Sequence, residues 1–199
     1  MKRIICFGDS ITEMGYSVEL RGYVAQLADR YARRADVLGR GFSGYTTREA
    51  VKILKTAVLD HQPDFVVLFF GANDSALPGH IQHVPVKEYR QNLQNMASQI
   101  ACAGAWLVLV TPPPADGRRV KNRELDQTAL YAQACREVAH EMHLPLVDLF
   151  QRILAEKDWG KTHLLDGLHL SAAGMNCLYE ELAVALDRIQ KLEQFDRLS

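Results

Sequence analysis

Short apolar runs alternate along the chain with longer stretches in which apolar residues recur every three or four positions. The apolar runs, rich in β-branched and aromatic residues, predict five strands at Arg3–Phe7, Asp36–Gly41, Phe65–Phe70, Trp106–Val110 and Leu144–Leu149. The amphipathic stretches predict helices at Leu20–Arg34, Thr47–Asp60, Val86–Ala103, Glu124–Met142 and Ala172–Gln190, the last with Ser171 as its N-cap. This alternation predicts an α/β protein with a three-layer α/β/α architecture and a five-stranded parallel sheet. A closed barrel needs eight βα units, so a flavodoxin-like open sheet is favoured.

Length and composition narrow the classes of protein to consider. With 199 residues, 48% of them apolar, and a formal net charge of -1, the chain is expected to form one domain over residues 1–199. It carries no basic stripe for nucleic acid, and the arginines at 30–34 are interpreted as the solvated end of a helix. No apolar run is long enough to predict a secretion signal or a membrane span.

The four cysteines are Cys6, Cys102, Cys135 and Cys177, and they lack both the C-x-x-C spacing and a disulfide-dense pattern. We therefore expect four buried, reduced thiols and a cytoplasmic protein. The sequence does not determine the oligomeric state.

Polar or glycine-rich segments follow four of the apolar regions. They are Gly8-Asp9-Ser10 after the first strand, residues 41–47 after the second, Gly71-Ala72-Asn73-Asp74 after the third, and Asp166-Gly167-Leu168-His169 beyond the fifth. Since the carboxyl ends of parallel strands share one edge of a sheet, these segments are expected to converge. A serine hydrolase needs a nucleophile, a base, a group that orients the base, and donors for the oxyanion. Ser10, His169 and Asp166 can serve as the first three, and the N–H groups of Ser10 and Gly44 with the amide of Asn73 as the donors.

Each of these residues has a structural alternative. Ser10 or Asn73 could cap the helix that follows it, and Gly44 could serve only a turn that requires a positive φ. Asp166 could accept local backbone hydrogen bonds in a loop that leaves His169 in solvent. Their joint placement at one sheet edge favours the catalytic interpretation.

Other candidate motifs are weaker. Ser43 lies in Gly-Phe-Ser-Gly-Tyr, where Tyr45 replaces the second glycine of a nucleophile elbow. His140 and His143 are spaced one residue too closely for a zinc-binding H-E-x-x-H helix, and His80 and His83 lie in a polar loop without other metal ligands. Phosphate-loop and dinucleotide-binding patterns are also missing from the sequence, so we predict neither a metal nor a cofactor.

The four segments resemble the conserved blocks of the SGNH, or GDSL, hydrolase superfamily, in the same order and over almost the whole chain. Further pieces, Thr111-Pro112-Pro113-Pro114 among them, are most similar to the branch that hydrolyses isoamyl acetate. The resemblance implies that Ser10 is the nucleophile, that His169 is the base with Asp166 as its partner, and that Gly44 and Asn73 are oxyanion donors. The first block has Ile11 where the family name has leucine.

The resulting hypothesis is a serine esterase that acts on a small ester of a short acyl chain. The largest irregular segment after a strand, Ser75–Pro85, is expected to wall the pocket together with Pro112–Pro114, and no long insertion is available for a lid. Within the superfamily the alternatives are a thioesterase or lysophospholipase, or a deacetylase of acetylated carbohydrate. The alternative outside the enzymes is an α/β module that binds a small ligand.

Overall fold

Five parallel strands form the central sheet of the computed structural model, which describes the backbone of residues 1–196 and the side chains of residues 1–189. The strands are β1 (Lys2–Gly8), β2 (Ala35–Gly41), β3 (Phe65–Phe69), β4 (Trp106–Val110) and β5 (Leu146–Val147). Their spatial order is β2-β1-β3-β4-β5, the order of flavodoxin-like sheets. The predicted fold class is therefore confirmed.

Helices connect the strands and cover both faces of the sheet. They are α1 (Ser10–Glu13), α2 (Tyr23–Arg30), α3 (Thr47–Ala57), α4 (Val86–Cys102), α5 (Leu125–Glu141), α6 (Leu149–Leu154), α7 (Trp159–Thr162) and α8 (Ala172–Asp196). Single 3₁₀ turns occur at Met14–Tyr16 and Leu59–His61. The sequence did not predict α1, α6 and α7, because helices of four to six residues are too short to show a 3.6-residue period. No helix within residues 1–196 is both long and apolar enough to cross a membrane.

The side chains of the strands alternate between two buried cores. On β1, Ile4 and Cys6 belong to the core beneath α2 and α8, whereas Ile5 and Phe7 belong to the core beneath α3, α4 and α5. All four are fully buried. A strand buried on both faces appears as a continuous apolar run, which is why the run before Gly8 shows no polar alternation.

Two predicted elements are shorter than expected. The fifth strand was predicted over Leu144–Leu149 but contains only Leu146–Val147, because Asp148 accepts a hydrogen bond from the Gln151 N–H (3.2 Å) and starts α6. The helix predicted over Leu20–Arg34 is α2, Tyr23–Arg30, since the residues before it form a turn closed by Gly22 N–H and Ser17 O at 2.8 Å.

One expectation about the cysteines is wrong. Cys6, Cys135 and Cys177 are buried free thiols, but Cys102 is exposed. It lies in the last turn of α4, where the helix leaves the core. Burial of the other three raises the pKa of each thiol, to about 12 for Cys6 and Cys135.

The register of the sheet brings three of the four polar segments together. Gly8, the last residue of β1, pairs with Gly41 on β2 and with Phe69 on β3. The three strands therefore end at the same level, and the segments that follow them are neighbours at the carboxyl edge of the sheet.

Candidate active site

Ser10 is the first residue of a helix that starts directly after β1. Asp9 is the N-cap of α1, and its carboxylate accepts a hydrogen bond from the Ile11 N–H at 3.0 Å. The alternative in which Ser10 caps the helix is therefore wrong, because Asp9 has that position. Ser10 is 8% exposed, so most of the residue is shielded from solvent.

A continuous hydrogen-bonded chain joins Ser10, His169 and Asp166. Ser10 Oγ lies 2.9 Å from His169 Nε2, and His169 Nδ1 lies 2.7 Å from Asp166 Oδ2. An ionised carboxylate only accepts hydrogen bonds, so it assigns the imidazole proton to Nδ1 and leaves Nε2 to accept the serine proton. The sequence predicted all three residues, and the structure brings them together across 159 positions of chain.

The hydrogen bonds around Asp166 keep its carboxyl ionised beside the imidazole. Its second oxygen, Oδ1, accepts the N–H groups of Leu168 and His169, each at 2.9 Å. Partial burial raises the pKa of Asp166, but the hydrogen bonds from His169 and from the two backbone N–H groups outweigh it and hold the pKa below its usual value. The local turn expected as an alternative role for Asp166 is thus present together with the contact to His169.

The connection between β4 and α5 holds the loop that carries Asp166 and His169. The Asp116 N–H donates to Gly167 O at 2.9 Å, and the Arg119 side chain donates to the backbone oxygens of Gly160, Leu164 and Leu165. Gly167 has a φ of +100°, and a Cβ there would lie 3.0 Å from Asp116 O. Glycine is required at this close approach.

Gly44 and Asn73 lie in the segments after β2 and β3, the two strands that flank β1 and end at its level. Gly44 has a φ of +79° in the turn before α3. Asn73 is 4% exposed, and its Nδ2 donates to Tyr45 O at 3.0 Å, which leaves its second N–H available to another acceptor. The alternative in which Asn73 caps a helix is wrong, because turns follow it and the next helix begins at Val86.

The predicted pocket wall contacts these loops. In the segment Ser75–Pro85, Gln82 Nε2 donates to Gly44 O at 3.0 Å and His83 Nδ1 donates to Ala76 O at 2.6 Å. Pro112 packs against Gly71, where an added Cβ would lie 3.0 Å from its Cγ. Both histidines of the segment hold loop backbone, since His80 Nδ1 accepts the Gln82 N–H at 3.3 Å.

The other candidate nucleophile, Ser43, is exposed on the turn before Gly44, where its N–H donates to the Glu13 carboxylate at 2.9 Å. His140 and His143 are exposed at the end of α5 and in the turn after it.

Two buried carboxylates near the site were not singled out from the sequence. Burial raises the pKa of Asp9 to about 7 and that of Asp74 to about 6. Asp74 Oδ1 accepts both the N–H and the hydroxyl of Thr47, while Oδ2 has no hydrogen-bond partner among the described residues. Asp9 precedes Ser10 and Asp74 follows Asn73 in the sequence, and this adjacency to candidate catalytic residues was the signal that could have identified both acids.

A buried arginine was also missed. Arg123 is 4% exposed, and its guanidinium donates to Ala72 O (2.8 Å), Gln82 Oε1 (2.8 Å), Asn122 O (3.0 Å) and Asn73 Oδ1 (3.5 Å). Burial lowers the pKa of Arg123, and the charges of Asp74 and Asp9 partly offset this effect. Nothing in the local sequence distinguishes Arg123 from the exposed arginines just before it.

The sequence matches the model of the GDSL-like Lipase/Acylhydrolase family over residues 6–177. Among curated proteins, a GDSL esterase/lipase of Arabidopsis thaliana is 38% identical over 93% of this chain and 86% of its own length. The isoamyl acetate-hydrolyzing esterase 1 homolog of Mus musculus is 36% identical over 94% of this chain and 82% of its own. The similarity to the isoamyl acetate-hydrolysing branch is thereby confirmed.

Solved structures agree with the sequence matches. A lipase/acylhydrolase from Enterococcus faecalis superposes with a TM-score of 0.79 and 31% identity, covering 92% of this chain and 93% of that one. An acetyl xylan esterase shares the fold with a TM-score of 0.78, at 22% identity over 92% of this chain and 98% of its own. Sequence and fold together place the chain in the GDSL-like lipase/acylhydrolase family, as a carboxylic ester hydrolase of the SGNH type.

Proposed function

We propose that this hydrolase cleaves short-chain, acetyl-type esters through an acyl-enzyme formed on Ser10, with His169 as the base and Asp166 as its orienting partner. The observation that carries the proposal is the chain of two short hydrogen bonds, 2.9 Å and 2.7 Å, from Ser10 Oγ through the imidazole to a carboxylate. This geometry matches the roles required for nucleophilic acyl transfer.

In the first half-reaction, Ser10 Oγ attacks the ester carbonyl carbon while His169 Nε2 takes its proton. The imidazolium is stabilised by Asp166, which accepts the Nδ1–H. The carbonyl oxygen becomes an oxyanion that receives hydrogen bonds from the N–H groups of Ser10 and Gly44 and from Asn73 Nδ2. His169 then returns the proton to the leaving alcohol, and the acyl group stays on Ser10.

In the second half-reaction, water attacks the acyl-enzyme while His169 again accepts a proton. Collapse of the second tetrahedral intermediate releases the carboxylic acid and restores Ser10. The same three donors stabilise the oxyanion in both halves.

The preference for a short acyl chain is supported by the relatives named for isoamyl acetate and by the connections around the site. The wall segment Ser75–Pro85 is tied down through Gln82 and His83, and the prolines at 112–114 are buried against the sheet edge. Fixed, compact walls suit a small acid and a small alcohol.

We also propose that residues 1–199 form one domain that works in the cytoplasm. Support for this location comes from the four cysteines, all of them free thiols. Cell fractionation of the tagged protein tests it, and enrichment outside the cytosolic fraction would contradict it.

The nucleophile is tested by comparing Ser10→Ala with Ser43→Ala. Ser10→Ala should abolish ester turnover and stoichiometric labelling by a fluorophosphonate while the thermal unfolding transition is retained. Ser43→Ala, the matched control, should keep both. Turnover that survives Ser10→Ala but is lost in Ser43→Ala would contradict the assignment of Ser10 as the nucleophile. A wild-type protein that is not labelled by a fluorophosphonate would favour the alternative of a binding module.

The substrate class is tested with p-nitrophenyl esters from C2 to C16, acyl-CoA thioesters and acetylated xylo-oligosaccharides. The expected result is the highest kcat/KM between acetate and hexanoate. A maximum at C12 or longer, or a higher value for thioesters, would support the lysophospholipase or thioesterase alternative, and a preference for the acetylated sugars would support the deacetylase.

A further inference from the structure

The buried guanidinium of Arg123 is linked to both loops that carry the proposed oxyanion donors, to one directly and to the other through Gln82. It contacts the loop after β3 at Ala72 O and Asn73 Oδ1, and it reaches the loop after β2 through Gln82, whose amide nitrogen donates to Gly44 O. These contacts span 38 to 51 positions of chain. We infer that Arg123, together with Gln82, is a positioning group that holds Asn73 and Gly44 in the orientation required to stabilise the oxyanion.

Arg123 determines which end of the Asn73 amide faces the reaction. A guanidinium has only donors, so the amide atom directed toward it must be the oxygen. Nδ2 is consequently turned the other way, where one hydrogen is donated to Tyr45 O and the second is left for the oxyanion of the proposed reaction. Without the guanidinium, only the hydrogen bond from Nδ2 to Tyr45 O would oppose a rotation of the amide by 180° that presents Oδ1, an acceptor, to a negatively charged oxygen.

The charge of Arg123 has a second effect on the same amide. A cation at Oδ1 polarises the amide and makes its N–H groups stronger donors, and such polarisation is larger where water is excluded. Among the residues whose side chains are described, the four hydrogen-bond acceptors of Arg123 are neutral oxygens, and none forms a direct ion pair that neutralises this charge. The carboxylates that act on it, Asp74 and Asp9, do so over longer distances.

Gln82 extends the arrangement to the second donor. Its Oε1 accepts from Arg123 at 2.8 Å, which fixes the amide so that Nε2 faces Gly44 O at 3.0 Å. Gly44 has no side chain and a φ of +79°, so its turn has wide conformational freedom unless contacts restrain it. The contact from Gln82 supplies such a restraint on the peptide next to the proposed donor.

The inference rests on the proposed function and is tested with a double-mutant cycle. Arg123→Met, Asn73→Ala and the double variant are compared by kcat and KM on p-nitrophenyl acetate. Arg123→Met alone should lower kcat by about 10- to 100-fold with little change in KM, since the donors act on charge that develops in the transition state. In the Asn73→Ala background the same change should lower kcat by only about threefold to tenfold, because Asn73 is already gone and only the effect through Gln82 on Gly44 remains.

The opposite results would overturn the inference. If the losses in kcat multiply in the double variant, Arg123 does not act through Asn73. If Arg123→Met raises KM at constant kcat, it is a substrate-binding residue instead. Arg188→Met, which removes an exposed arginine on α8, is the control and should leave both constants unchanged.

Two further variants complete the test, one in case Arg123→Met does not fold and one for the role of Gln82. If thermal unfolding shows that Arg123→Met is not folded, Arg123→Lys replaces it in the cycle, because lysine keeps the charge but cannot contact Ala72, Asn73 and Gln82 together. Gln82→Ala changes a partly exposed residue and should lower kcat by about threefold to tenfold, and an unchanged kcat would remove Gln82 from the arrangement. Loss of all turnover in Ser10→Ala alongside multiplicative losses in the cycle would leave the proposed function intact and reject only this inference.

Discussion

The buried carboxyl of Asp9 should make the protein less stable as the pH rises, and Asp9→Asn should remove that effect. Asp9 is 1% exposed, and burial, opposed by the hydrogen bond from the Ile11 N–H and reinforced by the nearby charge of Asp74, raises its pKa to about 7. Asparagine preserves the acceptor for the Ile11 N–H and is an equally good N-cap. The substitution therefore removes the ionisation and keeps the local hydrogen bond.

The sign follows from proton binding. The pKa of Asp9 is higher in the folded state than the ordinary value of 3.8 that applies to the unfolded chain, so the folded state holds the proton more tightly. Between about pH 4 and pH 7 the unfolded chain has released this proton while the folded protein has not, and raising the pH then favours unfolding. A difference of about three units corresponds to about 4 kcal/mol in total, of which roughly 2.5 kcal/mol falls between pH 5 and pH 8.

Urea denaturation at pH 5, 6, 7 and 8 measures this effect. The free energy of unfolding of Asp9→Asn minus that of the wild type should increase by about 2 kcal/mol or more across this range. The contributions of the other titrating groups are common to both proteins and cancel in this difference. Asp36→Asn, at an exposed position, is the matched control and should give a constant difference. Parallel pH dependences of Asp9→Asn and the wild type would refute the reasoning, because they would mean that Asp9 titrates alike in both states.

Three predictions concern catalysis. Asn73→Ala should lower kcat by about 10²- to 10³-fold with little change in KM, measured on p-nitrophenyl acetate, because an oxyanion donor acts on charge that appears in the transition state; a raised KM alone would make Asn73 a ground-state contact. The kcat/KM of the wild type should rise with pH, because only a neutral imidazole can take the serine proton, and a flat profile from about pH 5 to 9 with chemistry rate-limiting would exclude histidine. Asp166, whose pKa is held low mainly by its hydrogen bonds with His169 and the adjacent backbone against the effect of burial, stays ionised over that range. Asp166→Asn should lower kcat at least about tenfold without abolishing it and should move the acidic limb to lower pH, whereas an unmoved limb would argue against the carboxylate–imidazole contact.

Local pattern was enough to predict most of the elements and the candidate site. A strand buried on both faces leaves a continuous apolar run, and an amphipathic helix leaves a 3.6-residue period, so four of the five strands and the long helices were recognisable. Because parallel strands end at a common edge, the segments after them could be expected to meet. Ser10, His169 and Asp166 do meet there, at hydrogen-bond distance.

Features that depend on contacts between distant segments were not predictable. The fifth strand ends after Val147 because Asp148 binds Arg136 (2.7 Å) and starts α6, although the apolar run continues to Phe150. Cys102 has apolar neighbours in sequence yet lies on the exposed side of α4. Neither outcome follows from the residues next to it.

What the sequence by itself determined is the set of reacting groups and the order in which the chain delivers them to one edge of a sheet. Only the tertiary structure decided the surroundings of those groups: the hydrogen bonds that set the tautomer of His169, the burial that raises the pKa of Asp9, and the link from Arg123 to one oxyanion loop directly and to the other through Gln82. The physical reason is that the spacing of apolar residues, which predicts strands and helices, depends only on residues that are close together in the sequence. The dielectric around a carboxyl and the partner of a guanidinium are set by segments that fold against it from 40 or more positions away.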